Sequence, residues 1–289
     1  MSKSGLEEGE RCRIRFELGM DYLRAGLFDR AEEVFTGLLA MPAQREAAAA
    51  QLLDIYQQEK DWPKAIDCLR AMGGKGRRGE TLAQFYCEMA QAQRAAGHAR
   101  EAASCIDVAL SHEANCVRAS LLAVDLAVDR GDFPQAYRCL KRVEEQNPRY
   151  LPEILPWFLA YGDQLAERRE LLDYLDWLGA KYKSAEAAVA MASLIARGEG
   201  LDKAADYLSA TVASRPSLRG LHALLGLLCE QPAATPHLFV VRQSLQHFVV
   251  NSHNYLCAHC GFGSETLYWR CPACLHWETM RIRNDGVGG

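Results

Sequence analysis

No stretch of this chain approaches the roughly 18 consecutive apolar residues that a membrane-spanning helix needs. Its first ten residues, Met1 to Glu10, are polar and acidic, without the basic start and apolar middle of a secretory signal. The expected compartment is therefore the cytoplasm. Charge of one sign is also missing. Lysine and arginine number 33 against 37 acidic residues, a net charge of -4, so no global basic field draws the chain to nucleic acid. Catalytic signatures are absent too: no H-E-x-x-H, G-x-S-x-G or G-x-G-x-x-G occurs. The basic, glycine-rich Gly73–Gly79 segment fails the spacing of a phosphate loop and follows no strand, so it reads as a solvated connector. The expectation is a protein that is not an enzyme.

What is present is ordinary folding material, 49% apolar and 24% charged residues over a length of 289. That composition suits a folded chain rather than a disordered one, and the length suits one long solenoid or about two domains. Internal periodicity decides between them. One block runs Leu18-Gly19, Tyr22, Gly26, Ala31, Phe35 and Pro42, and it recurs with Leu52-Leu53, Tyr56, Ala65 and Leu69. Gly97, Ala102, Ile106 and Ala109 form a third unit; Gly131, Ala136, Leu140, Val143 and Pro148 form a fourth. Ala31, Ala65, Ala102 and Ala136 are 34, 37 and 34 residues apart, and the one long interval holds the Gly73–Gly79 connector. A 34-residue helix-turn-helix period with a small residue at the helix crossing resembles the tetratricopeptide repeat. Asp61 before Pro63 and Asp132 before Pro134 mark helix starts, while Gly26, Gly97 and Gly131 mark the turns inside the hairpins.

The predicted fold is all-α: a tetratricopeptide-repeat superhelix (solenoid) with a small C-terminal four-cysteine metal knuckle. A polar tail occupies 1–11. The solenoid occupies 12–250, with units near 12–42, 46–76, 83–113, 117–148 and 185–216 and a degenerate unit at 149–183. In the degenerate unit Pro152 and Pro156 are expected to disturb the first helix. Further helices are predicted near 217–229 and 237–250, separated by a linker from Gln231 to Pro236. Residues 251–289 form the rubredoxin-like or zinc-ribbon module. Stacked repeats bury faces that no single repeat can cover, and the groove they line is the expected binding surface for protein partners.

The 11 cysteines fall into two groups. Seven are scattered singly through helical pattern and read as small buried apolar residues. The other four form two C-x2-C hooks, Cys257-Ala-His-Cys260 and Cys271-Pro-Ala-Cys274. Each hook aims two thiolates at one ion, and two facing hooks complete a tetrahedral site. Cys257, Cys260, Cys271 and Cys274 are thus the predicted metal ligands, for one ion in a tetrathiolate site. Soft thiolates select iron or zinc, and the residues do not distinguish them. A closed four-thiolate shell points to a structural ion. His259 and His276 flank the hooks as alternative ligands that four thiolates make unnecessary. The span from Phe262 to Arg270 is long enough for a small hairpin. A module this small has too little core to fold without its ion.

The order of repeats followed by an aromatic-rich knuckle resembles the lipopolysaccharide assembly protein B family. The likeness is carried by Ala25-Gly26-Leu27-Phe28-Asp29-Arg30-Ala31-Glu32, by Gln51 to Gln57, by Phe85-Tyr86-Cys87-Glu88, and above all by Thr266 to Cys274 with Trp277 beyond. It covers the chain from about Cys12 onward. The resemblance implies a non-catalytic adaptor at the cytoplasmic face of the Gram-negative inner membrane. Such an adaptor modulates lipopolysaccharide synthesis by helping the membrane protease FtsH degrade the deacetylase that commits precursors to lipid A. It also implies that the four cysteines are the family's metal ligands. Family members begin with a membrane-spanning helix and further repeats, and this chain begins at what corresponds to a middle repeat.

Two other functions compete with the adaptor: an iron-containing electron-transfer protein, and a nucleic-acid-binding zinc ribbon on a repeat stalk. The second draws on Arg270, Arg281, Arg283 and the neighbouring aromatics, although a solvated face is the expectation and no nucleic acid is expected as partner. Self-association into a homo-oligomer is left open. Exposed aromatics on a small module are costly, so Trp269, Tyr268 or Trp277 is expected to pack the knuckle against the repeats.

Overall fold

The computed structural model describes residues 8–72, 78–231, 235–250 and 255–282. Residues 73–77 of the glycine-rich connector, 232–234 of the linker, the 251–254 link and Arg283 lie outside them. The described residues form fourteen α-helices and three short strands, and none of these helices is long and apolar enough to cross a membrane. The chain is an all-α array of helix hairpins carrying a small four-cysteine module. It divides into two compact units, Met1–Ala114 and Asn115–Gly289.

The first unit holds three hairpins: α1 (Glu8–Arg24) with α2 (Phe28–Leu38), α3 (Arg45–Glu59) with α4 (Trp62–Ala71), and α5 (Arg78–Ala95) with α6 (Ala99–His112). Helix α1 starts inside the segment expected to be a tail. The small residues of the period do what the spacing predicts: Ala31, Ala65 and Ala102 are buried, letting paired helices approach. Phe35 fills the gap so formed and is fully buried. Asp61 caps α4 by accepting from the Lys64 N–H at 3.2 Å, with Pro63 in the first turn. Gly26 and Gly97 take φ of 73° and 80° at the hairpin turns, which residues with a Cβ adopt only at a cost. Successive hairpins are tied by Glu32, which accepts from the Tyr56 hydroxyl at 3.0 Å and from Lys64 Nζ at 2.9 Å.

The second unit continues with α7 (Val117–Asp129) and α8 (Phe133–Gln146), then α9 (Leu151–Leu165) and α10 (Arg168–Tyr182). Two further pairs follow: α11 (Ala185–Glu199) with α12 (Leu201–Ser214), and α13 (Leu218–Cys229) with α14 (Pro236–Val250). Its core runs through Val124, Leu140, Ile154, Phe158, Leu175, Leu178 and Ala187, all nearly or fully buried. The rings of Tyr137, Phe158 and Tyr174 meet edge to face, the arrangement their quadrupoles favour. Asp132 caps α8 through the Gln135 N–H at 3.0 Å. A single 3-10 turn, Pro148–Tyr150, leads into α9.

The prolines of α9 act less than expected. Pro152 sits in the first turn, where its missing N–H has no intrahelical partner in any case. Pro156 cannot donate to the Pro152 carbonyl, yet the helix continues past it to a kink at Tyr161 and then on to Leu165. The backbone departs from helical geometry at Tyr161 instead, with φ of -125°.

The scattered cysteines are all free thiols, and five of the seven are buried. Burial pushes the thiols of Cys68, Cys105 and Cys139 above their ordinary range, which keeps them protonated and inert.

Candidate metal centre and its docking surface

Residues 255–282 fold into a three-stranded antiparallel sheet of order β2-β1-β3, where β1 is Tyr255–Cys257, β2 is Gly263–Ser264 and β3 is Met280–Ile282. The hairpin expected between the hooks is not there. Each hook is itself the turn of a small hairpin: β1 pairs with β2 across the first, and Arg270 bridges Trp277 across the second. The reason is chelation. Two sulfurs three residues apart converge only when the backbone between them reverses, and a reversal brings the flanking residues into register.

The two hooks repeat one hydrogen-bond pattern. The Cys257 N–H donates to the Phe262 carbonyl at 2.8 Å, and the Gly261 N–H donates to the Cys257 carbonyl at 2.9 Å. In the second hook the Cys271 N–H donates to the His276 carbonyl and the Leu275 N–H to the Cys271 carbonyl, both at 2.9 Å. The residue after each second cysteine must therefore be left-handed. Gly261 meets this at φ 77°; Leu275 meets it at φ 60°, where a Cβ is strained.

This geometry brings all four predicted sulfurs together. Cys257 Sγ lies 3.7 Å from Cys274 Sγ, Cys260 Sγ lies 3.7 Å from Cys271 Sγ, and all four fall within 4.8 Å of one another. An ion about 2.3 Å from each of four tetrahedral sulfurs would set them about 3.8 Å apart, so the arrangement fits a tetrathiolate site. Cys257 and Cys271 are buried, Cys274 is half-buried and Cys260 is exposed.

The electrostatics also favour a cation. Burial opposes the Cys257 thiolate, but the Thr279 hydroxyl, 3.2 Å away, and backbone N–H groups of Cys260 and His259 outweigh it and bring the thiol down to about 5. The Cys260 thiol has the Phe262 N–H in its favour, yet its desolvation and the three crowding sulfurs push it up to about 12. The first thiolate is stabilised, and further ones are opposed by their neighbours' charge. Thr279 carries no sequence signal for this role; it reaches Cys257 because β3 pairs with β1.

The module is not free of the repeats. Trp269 stacks on Tyr150 with ring centroids 5.5 Å apart, and Leu267 and Trp269 extend the core of the second unit. The Tyr255 hydroxyl donates to the Glu153 carboxylate of α9. The Trp277 ring has two guanidinium groups near it, Arg118 of α7 at 5.9 Å and Arg270 at 5.6 Å from its centroid. Trp269 and Trp277 thus make the expected contacts. Tyr268 is 42% exposed and meets Phe262 of its own module edge to face. Tyr150, Glu153 and Arg118 were beyond sequence reasoning, since each reads as an ordinary helix residue.

A second feature lies in the first unit. A groove of about 1040 Å³ opens along α3, α4 and the connection from α2 to α3, walled by Leu39, Pro42, Ala49 and Leu52 and edged by Tyr56 and Lys64.

The sequence profile of a family described as the rubredoxin metal binding domain matches residues 255–281. Lipopolysaccharide assembly protein B of Escherichia coli strain K12 is 30% identical over 294 residues, covering 99% of this chain and 76% of that protein. The protein of that name from Haemophilus influenzae is 32% identical over 271 residues, covering 92% of this chain and 68% of its own length. Among solved structures, a tetratricopeptide repeat protein from Parabacteroides merdae is 13% identical, covers 83% of this chain and 99% of its own, and superposes with a TM-score of 0.35.

Proposed function

The chain belongs to the lipopolysaccharide assembly protein B family, and on that premise we propose that it is a non-catalytic adaptor in lipopolysaccharide assembly. The observation that carries this reading is identity running through repeats and knuckle alike, over 99% of the chain. Helix-hairpin repeats bind other proteins along their grooves. In this reading the groove edged by Tyr56 and Lys64 receives a client segment. The partners are the membrane protease FtsH and the deacetylase of the lipid A pathway, and the place of action is the cytoplasmic face of the inner membrane.

Cys257, Cys260, Cys271 and Cys274 hold one iron or zinc ion in this reading. The spacing of their sulfurs supports it. What a bound ion supplies is a cross-link between two hooks that the small sheet cannot hold alone. Tyr255, Trp269 and Trp277 then fix the module against α7 and α9. A client touching the module and the helices it rests on meets them at fixed separation, whereas a loosely tethered module would only raise local concentration.

The test is the lifetime of the deacetylase in cells depleted of this protein. Depletion should lengthen that lifetime several-fold, and re-expression of the wild type should shorten it again. An unchanged lifetime, with the deacetylase absent from what co-purifies with this protein, would remove the proposed client. Metal content together with a redox titration separates a structural ion from an electron carrier.

A further inference from the structure

The groove of the first unit is lined by one stripe from each helix of a hairpin. On α3 the stripe is Glu46, Ala49, Leu52 and Tyr56. On α4 it is Lys64, Asp67, Cys68 and Ala71. Spacings of three and four put each set on one face of its helix. Ala49, Cys68 and Ala71 are too small to fill the space between the stripes, and Leu52, 1% exposed, lies at the floor. The Cys68 thiol is already engaged, donating to the Ala49 carbonyl at 3.2 Å. Charge stands at the rim, and there the cations have partners. Lys64 Nζ lies 2.9 Å from Glu32 and 3.6 Å from Asp61, and Arg45 Nε donates to the Leu39 carbonyl at 2.9 Å. Glu46 and Asp67 are exposed, and among the described residues neither has an ion-pair partner. With the groups that touch Lys64 included, four carboxylates (Glu32, Glu46, Asp61, Asp67) stand against two cations (Arg45, Lys64). The field along the groove is therefore negative.

We propose that this groove takes an amphipathic helix of a partner protein, its apolar side down and lysine or arginine along its flanks. An apolar floor with charge at the edges is the pattern of helix-in-groove recognition. A small metabolite needs buried polar groups to fix its orientation, whereas this floor is Ala49, Leu52 and an engaged thiol. From Glu46 to Tyr56 the groove follows α3 for about 15 Å, room for about three turns of a partner helix. The basic flanks supply what Glu46 and Asp67 lack. The proposal rests on the reading that this groove receives a client segment, and it names the chemistry of that segment.

The test titrates the full chain with three fluorescent helical peptides that share one leucine face, their flanks all lysine, all glutamine or all glutamate. The lysine peptide should bind about tenfold more tightly than the glutamate peptide, since exposed charge pairs each contribute modestly. Added salt should narrow the gap. Glu46→Gln combined with Asp67→Asn should bring the lysine peptide to within about twofold of the glutamine peptide. Ala71→Trp, at an exposed position in the groove wall, should block binding while helical circular dichroism is unchanged. Equal binding of the three peptides, or lysine-peptide binding that survives Ala71→Trp, overturns the proposal. So does a dimer of the chain in sedimentation that Ala71→Trp abolishes, because the occupant is then a second copy. Deacetylase lifetime in cells separates this inference from the reading beneath it. If Ala71→Trp lengthens that lifetime while the peptides show no charge preference, the client groove stands and the basic helix is overturned. If the lysine peptide behaves as expected but Ala71→Trp leaves the lifetime unchanged, the basic-helix site stands and the deacetylase is removed as its client.

Discussion

The repeats of the second unit and the module docked on them hold themselves together by opposite means. Helices α7 to α10 bury a continuous apolar core through Val124, Leu140, Phe158 and Leu178, so their stability is spread over many side chains. The module's own buried core is Tyr255, Cys257, Cys271 and Met280, and two of those four are proposed ligands. A sheet of three strands, none longer than three residues, offers little beyond its sulfurs. One region is held by area and the other by a point. Losing a single group should therefore matter little in the first and decisively in the second.

The largest effect follows directly. Cys257→Ser should abolish tight metal binding and unfold 255–282, since ion binding of this kind is worth on the order of 10 kcal/mol. Helical circular dichroism should survive almost intact, because repeat stability is shared between neighbours. Loss of most helical signal would break the comparison. Trp269→Ala should act at the seam, costing about 2 kcal/mol for a half-buried aromatic that stacks on Tyr150. Metal content should remain at one ion while quencher access to Trp277 rises.

Smaller changes probe the module and its contact separately. Leu275→Gly should stabilise the metal-loaded module by up to about 1 kcal/mol, because it relieves a left-handed residue whose side chain is 49% exposed. Thermal unfolding of 255–282 followed by tryptophan fluorescence would show it. Glu153 gives the smallest effect, and one that depends on pH. Burial raises its carboxyl above the usual range, so the folded, docked state favours the protonated form. Its contribution is full below an unfolded pKa of about 4.3 and is lost as pH rises through the folded value. Docking should weaken across that weakly acidic window, and Glu153→Gln should flatten the dependence while keeping an acceptor for the Tyr255 hydroxyl.

The difference between the regions also explains what the sequence could convey. Ala31, Ala65, Ala102 and Ala136 announce the repeat because a period forces the same contact to recur, and all four prove buried. The four cysteines announce their cluster because chelation fixes a spacing. Asp61 and Asp132 announce helix starts because capping is local. The docking contacts follow no such local rule. Tyr255 reaches Glu153 across 102 residues of sequence, and nothing near either residue encodes the meeting. The pairing of β1 with β3, which sets Thr279 beside Cys257, is hidden for the same reason. The survival of α9 past Pro156, with Ile154, Leu155 and Phe158 buried around it, shows packing overriding a local signal.

In this reading an ion-held module and the repeats beneath it form one docked surface. Amide exchange before and after chelation of the metal tests this most directly. Faster exchange is expected throughout 255–282 and also in the Pro148–Tyr150 turn and the first turns of α9, with α11 to α13 unchanged. Faster exchange confined to 255–282, with residues 148–158 unaffected, would contradict it.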